Sequence, residues 1–493
     1  MSFDYAPYTE LINNLPTKIW LGNEQVDGVG GAHFDVEDPA TGKVLAQVSN
    51  ADSSQWMKAL DLADGVQDTW AKDFTARQRA DVLTDIYHAV QDRADDFATV
   101  MTLEMGKTFA EAKGEVGYGS EYLRWFAEEA VRIDGHYGAS PSGAGTIRVT
   151  HTPVGPCLAV TPWNFPFAMA TRKIAPALAA GCTMIVKPAK ETPLTMLLLG
   201  EVISEVFAKH NVPSGVISIV PTQKSSAMSS ELMADARLRK VTFTGSTGVG
   251  KILVEQSAKN LQRTSMELGG NAPFVVHKDA DLDSVLECAY AAKMRNGGQA
   301  CVSANRFIVH EDVAEEFTRR ITQKLAQVST GHGLNEGVGL GPMITAAQRD
   351  GIAELVAEAR KGGATVHTGG EVPAGEGYFY PATVLSDIPA DAAILREEIF
   401  GPVVAITTYS DLDDAIAAAN DTSVGLAAYG YSENVHTAER LANELNAGMV
   451  AINRGGVSDV AAPFGGIKES GFGREGGAEG INEYLDTRYI ATP

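Results

Sequence analysis

The chain is expected to fold as an α/β protein whose parallel sheets carry helices on both faces. Three observations carry that expectation. From residue 150 onward, apolar runs of strand length alternate with segments of helix length, the pattern of repeated strand–helix–strand units. The runs end in turns rich in glycine, proline or unusual polar residues, where ligands of parallel sheets are held. At 493 residues with 44% hydrophobic and 21% charged side chains, the chain has the composition of an ordinary globular protein with room for two or more cores.

The elements follow in order. Residues 17–50 alternate short β-like runs with turns, such as Lys18-Ile19-Trp20-Leu21 and Gly42 to Val48. Residues 53–133 read as helices. Thr75-Ala76-Arg77-Gln78 has the form of a capping box, and Ala80 to Val90 has apolar residues three and four apart. Strands are expected at Cys157–Val160, Thr183–Val186, Val216–Val220 and Val241–Phe243, with helices up to Ala180, over 194–209 and from Lys251. A second α/β block covers about 270–440, with strands at Phe274–Val276, Phe307–Val309, Tyr380–Leu385 and Val403–Ile406. There is no internal repeat, low-complexity tract or long linker.

The formal charge of −22 argues against the phosphate-neutralising surface of a nucleic-acid-binding protein. Four cysteines (Cys157, Cys182, Cys288, Cys301) are too few for a disulfide framework, and no Cys/His spacing suggests a metal site. The first residues lack a basic stretch followed by an apolar run, and no apolar stretch approaches the roughly 20 residues of a membrane helix. A cytoplasmic protein is expected.

Several stretches carry chemistry. Asn296 to Arg306 places Cys301 in a glycine-flanked turn between a helical run and a β run, where small neighbours leave a thiol accessible; a buried, inert cysteine is the competing reading. Glu267, in Met266-Glu267-Leu268-Gly269-Gly270-Asn271, becomes a general base if burial raises its pKa toward the working pH. Asn164, in Pro162-Trp163-Asn164-Phe165-Pro166, is an amide in a rigid turn, suited to stabilising an oxyanion or merely to holding the turn. Gly245-Ser246-Thr247-Gly248-Val249-Gly250 joins a strand to a helix, whose free N–H groups bind phosphate; it is not the strict GxGxxG fingerprint, and a packing turn remains open. Lys187 and Lys190 flank Pro188 at a strand end, facing either the ligand crevice or solvent.

These motifs, with Lys187-Pro188-Ala189, Phe243 to Thr247, Gly298-Gln299-Ala300-Cys301, Glu398-Ile399-Phe400-Gly401-Pro402 and Pro463-Phe464-Gly465-Gly466, occur in the order and spacing of the aldehyde dehydrogenase superfamily. The resemblance covers nearly the whole chain. It implies a Rossmann-like cofactor domain (1–130 and 153–266), an α/β catalytic domain (267–470) and a small β oligomerisation arm (131–152 and 471–493). It implies Cys301 as nucleophile, Glu267 as general base, and Asn164 with the Cys301 N–H as oxyanion hole. Gly245 and Ser246 would face a pyrophosphate, Lys187 the adenosine ribose and Glu398 the nicotinamide ribose, with Trp163, Leu268 and Phe400 completing the cofactor site. An aldehyde would be oxidised through a cysteine thiohemiacetal and a thioester.

Two further expectations concern specificity. Relatives that prefer NAD usually carry a glutamate three residues after the lysine of the Lys-Pro motif; Lys190 stands there, so NADP is the expected cofactor, with NAD also accepted. Arg172, Arg295 and Ser458 resemble the carboxylate-binding set of succinate-semialdehyde dehydrogenases, as do Met169 to Lys173 and Gly473 to Gly476. Succinate semialdehyde is thus the expected substrate, with a glutarate-semialdehyde or broad-specificity enzyme as the alternative and a homodimer or homotetramer as the assembly. Ser303 replaces a second cysteine that many relatives carry, so no disulfide switch with Cys301 is expected. A cysteine hydrolase would use Cys301 and Glu267 without the cofactor residues.

Overall fold

The computed structural model describes residues 3–493. Its first sheet is built on five parallel strands: β1 (Cys157–Val160), β2 (Met184–Lys187), β3 (Ile217–Ile219), β4 (Lys240–Thr244) and β5 (Arg263–Glu267). Their order is β3-β2-β1-β4-β5, extended antiparallel at one edge by Ile19–Leu21 and Glu24–Val26 and at the other by Gly471–Phe472. β2, β3 and β4 are buried along their whole length, as continuous apolar runs covered on both faces require. The order reverses between β1 and β4, so their carboxyl ends splay into a crevice where loops can hold a ligand.

Beyond Glu267 only four residues, Leu268 to Asn271, lead into the second sheet. Its parallel strands are β6 (Ala272–Val276), β7 (Ala304–His310), β8 (Thr383–Ser386), β9 (Val403–Tyr409), β10 (Ala427–Tyr431) and β11 (Met449–Ile452). They run β8-β9-β7-β6-β10-β11, with Thr365–Thr368 antiparallel beside β8. Because β5 feeds directly into β6, the carboxyl ends of the first sheet face the amino ends of the second. The chemistry-bearing segments collect along that seam.

Helices α1 (Phe109–Ala130), α2 (Ala168–Ala180) and α3 (Leu194–His210) cover the first sheet. α4 (Thr247–Ser257) begins earlier than the sequence suggested and takes Gly248 and Gly250 into its first turns. Packing explains it: a Cβ on Gly250 would lie 2.5 Å from the Leu268 side chain, so glycine lets the helix approach the 268 loop. The expected strand at 380–385 shortens to β8 because Pro381 has no N–H for a ladder. β5, β10 and β11 lie outside the strands expected from the sequence. In the Ala-Ala-Tyr-Gly-Tyr stretch of β10 the alanines and the glycine offset two strand-favouring tyrosines, and pairing with β6 and β11 settles its conformation. The Thr75 capping box forms as read, Gln78 N donating to Thr75 Oγ1 at 3.3 Å and Thr75 N to Gln78 Oε1 at 2.9 Å.

A separate three-stranded antiparallel ribbon joins His136–Ala139, Thr146–Pro153 and Leu485–Thr492. It leaves Tyr137 72% and Tyr489 62% exposed. Among the described residues, no helix is long and apolar enough to cross a membrane.

Candidate active site

Asn164 lies in the turn that leaves β1 at the switch point, and only 5% of it is exposed. Its Nδ2 donates to the carbonyl of Gln299 at 3.1 Å, using one of its two N–H bonds and tying the turn to the cysteine loop. That loop follows α5 (Leu282–Met294) and passes through successive left-handed residues, Asn296 (φ 54°), Gly297 (φ 60°) and Gly298 (φ 74°). Gly298 is required twice over: besides its φ, a Cβ there would lie 2.1 Å from the Gly401 carbonyl. The coil delivers a half-buried Cys301 to the seam. Its thiol is pushed up to about 12, chiefly by burial, with Arg172 pulling the other way. A thiol so placed is protonated at neutral pH and needs a base.

A candidate base lies across the seam. Glu267 ends β5 and is 3% exposed, and its Oε2 is buried without a hydrogen-bond partner. The backbone three residues on passes so close to the thiol loop that a Cβ on Gly270 would lie 2.5 Å from the Cys301 carbonyl oxygen. Burial, reinforced by the nearby Glu475 carboxylate, raises Glu267 well above the usual carboxylate range, while Arg172, Lys173 and Arg474 oppose the shift. An unpartnered oxygen on a raised carboxylate is the form a proton acceptor takes. Glu475 has the opposite character: burial acts to raise it, but ion pairs with Lys173 and with Arg172 Nε (2.5 Å) outweigh burial and hold it ionised. Two neighbouring carboxyls are thus driven apart in pKa, one kept charged and the other able to exchange a proton.

On the cofactor side, Lys187 ends β2 almost buried, and burial pushes its ammonium down to about 8. Lys190 stands in solvent, 3.7 Å from Glu191. Gly245 N donates to the Glu267 carbonyl at 3.0 Å, joining the glycine turn to the end of β5. Ser246 caps α4 without a side-chain hydrogen bond, so the N–H groups of the first turn remain available to a phosphate. Trp163 and Phe400 meet edge to face at 5.4 Å. Leu268 is buried beneath α4. Glu398 Oε1 accepts from Gly270 N at 3.1 Å, and burial raises it to about 7. A Cβ on Gly269 would lie 2.8 Å from the other Glu398 oxygen. Free helix N–H groups, a lysine at each side of the Pro188 turn and the apolar Trp163–Phe400 pair fit a dinucleotide with a phosphorylated ribose.

The two arginines differ. Arg172, on α2, is buried, stacks over the Phe464 ring (4.0 Å) and is paired with Glu475. Arg295 is exposed, lies 4.9 Å over the Phe165 ring and 5.7 Å over Tyr118, and has no ion-pair partner among the described residues. Ser458 is half-buried in the loop after β11, which rests on α5 where a Cβ on Gly455 would lie 2.8 Å from the Cys288 carbonyl. Ser303 is buried with an unpartnered hydroxyl.

Residues 26–490 match the model of the aldehyde dehydrogenase family. The chain belongs to that family. It is 52% identical over 447 residues to a succinate-semialdehyde dehydrogenase of Paenarthrobacter nicotinovorans, covering 91% of this chain and 98% of the relative. It is 42% identical to the NADP(+) succinate-semialdehyde dehydrogenase of Escherichia coli K12 (95% and 96% covered) and 42% identical to a glutarate-semialdehyde dehydrogenase of Pseudomonas aeruginosa (94% and 95%). Among solved structures, an Escherichia coli NADP-dependent enzyme superposes with a TM-score of 0.94 at 41% identity, covering 97% of this chain and 98% of that one.

Sequence reasoning assigned no role to several residues that shape the site of this aldehyde dehydrogenase. Lys173 and Glu475 join across 302 positions, and Tyr118 and Tyr122 share a 2.5 Å hydroxyl contact beside the arginines. Lys107, Glu115 and Asn296 hold the Asn164 turn. The local signal for Glu475 is its place in Gly473-Arg474-Glu475-Gly476; Lys107 just before an ordinary helix and Glu115 within it carry none.

Proposed function

We propose that this enzyme oxidises succinate semialdehyde to succinate, using NADP and also accepting NAD. The observation that carries the substrate class is Arg295: an arginine with no carboxylate partner among the described residues, on two aromatic faces, six residues before the thiol. Its planar guanidinium suits a carboxylate end group, while Arg172 adds positive charge deeper in the pocket and Ser458 offers a hydroxyl. The names of the Paenarthrobacter and Escherichia relatives agree with this reading. The Pseudomonas relative keeps glutarate semialdehyde, one methylene longer, as the second substrate to test.

In this reading Glu267 takes the Cys301 proton and the thiolate adds to the aldehyde carbon. The second N–H of Asn164 Nδ2 and the N–H of Cys301 receive the oxyanion. The bound nicotinamide supplies the acceptor for the hydride lost in oxidation, leaving a thioester on Cys301. Glu267, its first proton released to solvent, then takes one from the water that attacks the thioester and returns it to the leaving thiolate as the acid is released. Lys187 and Glu398 bind the two riboses, Gly245 and Ser246 the pyrophosphate, and Lys190 a 2′-phosphate, with Trp163, Leu268 and Phe400 as the apolar wall.

We take the cofactor domain as about 1–130 and 153–266, the catalytic domain as 267–470, and the arm as 131–152 with only Leu485–Thr492 of the expected 471–493, since Gly471–Phe472 pairs with β5 and Glu475 lies beside Arg172. The exposed tyrosines of the arm suit burial against a second copy in a homodimer or homotetramer, in the cytoplasm. The test is a panel of succinate, glutarate and uncharged aldehydes assayed with pure NADP and NAD. Highest kcat/KM with succinate semialdehyde and NADP supports the assignment; equal turnover of uncharged aldehydes overturns it.

A further inference from the structure

The oxyanion turn is gripped by a buried ion pair that the reaction itself does not use. Lys107 follows Gly106 just before α1, and Glu115 lies within it; they are 3% and 2% exposed and salt-bridged to each other. Lys107 Nζ also donates to the backbone carbonyl of Asn164 at 2.7 Å and lies 4.1 Å over the Phe165 ring. The other oxygen of Glu115 accepts from the N–H groups of Phe167 and Ala168, both at 3.0 Å. One pair therefore holds both ends of the segment that carries Asn164, its carbonyl by the cation and the start of α2 by the anion.

A third hand comes from the cysteine loop. Asn296 Nδ2 donates to the same Asn164 carbonyl at 2.9 Å and to the Gln299 carbonyl at 3.0 Å, the oxygen that Asn164 Nδ2 itself reaches. Asn296 N is in turn bound by Glu111 on α1 at 2.6 Å. The loop containing Gly333 and Gly341 closes over Lys107: a Cβ on Gly341 would lie 1.9 Å from the Gly106 carbonyl, and one on Gly333 2.4 Å from the Lys107 carbonyl. The backbone that carries Lys107 is thereby closely packed. Two buried charges are expensive to keep, and these are spent on the backbone around one amide rather than on an apolar core.

We infer that Lys107 and Glu115 form a positioning pair that sets the Asn164 amide relative to Cys301. The inference rests on the reading of Asn164 as the oxyanion donor. Misplacing a reacting group by about 1 Å costs on the order of 100-fold in rate, so losing the grip should cost roughly 10- to 100-fold in kcat.

The test is a double-mutant cycle between the pair and Asn164. Lys107→Met/Glu115→Gln removes both charges together, leaves neither ion orphaned, and keeps an acceptor for the Phe167 and Ala168 N–H groups. We expect kcat to fall roughly 10- to 100-fold while KM for aldehyde and NADP affinity stay within about twofold. Added to Asn164→Ala, the pair variant should cost nothing more, since it acts through that amide. Multiplying losses, an effect confined to KM or cofactor affinity, or unchanged kcat overturns the inference. Unchanged turnover in Asn164→Ala alone overturns instead the oxyanion reading beneath it. Should the pair variant fail to fold, Glu115→Gln alone is carried through the same cycle, with a smaller loss and the same absence of additivity expected.

Discussion

The cofactor crevice and the thiol pocket share the seam between the two sheets, yet they are assembled in opposite ways. The crevice is made of strand ends: Lys187 closes β2, Gly245 and Ser246 follow β4, and each residue's place follows from the strand that precedes it. Its charges are few and one of them, Lys190, stands in solvent. The thiol pocket draws Asn164, Glu267, Cys301 and Glu475 from separate elements and sets them beside buried ions: Lys107 with Glu115, and Arg172 and Lys173 with Glu475. Binding a ligand that brings its own charge requires little more than free N–H groups at a helix end. Chemistry on a small aldehyde requires sub-ångström placement, which only groups locked by packing and charge provide.

Mutations in the two regions should therefore differ in size and kind. The largest effect is expected for Cys301→Ala, which removes the nucleophile; steady-state assays should show kcat reduced at least about 10⁴-fold, with the chain still folded and NADP still bound. Residual turnover near wild type would end the thiol mechanism. Next comes Glu267→Gln, with a loss of roughly 10²- to 10⁴-fold and a change in pH profile. A base works only when deprotonated, and burial has raised Glu267. The wild-type acid limb, where rate falls as pH drops, should accordingly lie well above the ordinary glutamate pKa, and the variant should lack it.

At the rim of the pocket, Arg295→Ala should raise KM for succinate semialdehyde by about 10- to 100-fold, the worth of one charge-assisted contact. KM for an uncharged aldehyde should move little; equal shifts would show that Arg295 is structural. The smallest effect belongs to the crevice. Lys190→Glu should shift the NADP/NAD preference by roughly tenfold toward NAD, and because Lys190 is exposed, the wild-type preference should weaken as salt rises. A preference untouched by the substitution would place the selection of the ribose phosphate elsewhere.

Much of this was legible in the chain. Parallel strands bury both faces, so β2, β3 and β4 read as continuous apolar runs, and the residues that break those runs stand where the crevice lies. Cys301 was visible because its flanking glycines are needed for left-handed backbone and close contact with Gly401, constraints that leave a local mark. α4 was misplaced because glycine speaks against a helix locally, whereas contact with Leu268 decides for one. β10 was missed because its strand is imposed by neighbours.

What the sequence determined by itself was the α/β architecture, the family motifs and the choice of candidate reacting groups, since each depends on periodicity or on residues adjacent in the chain. The tertiary structure alone decided their states. Burial and the Glu475 carboxylate left Glu267 raised and unpartnered, Glu475 itself took Arg172 into an ion pair while Arg295 stayed without one, and Lys107 with Glu115 came to grip the Asn164 turn. Desolvation and charge pairing act through space between segments up to 302 residues apart, and no local pattern along the chain encodes which of them will meet.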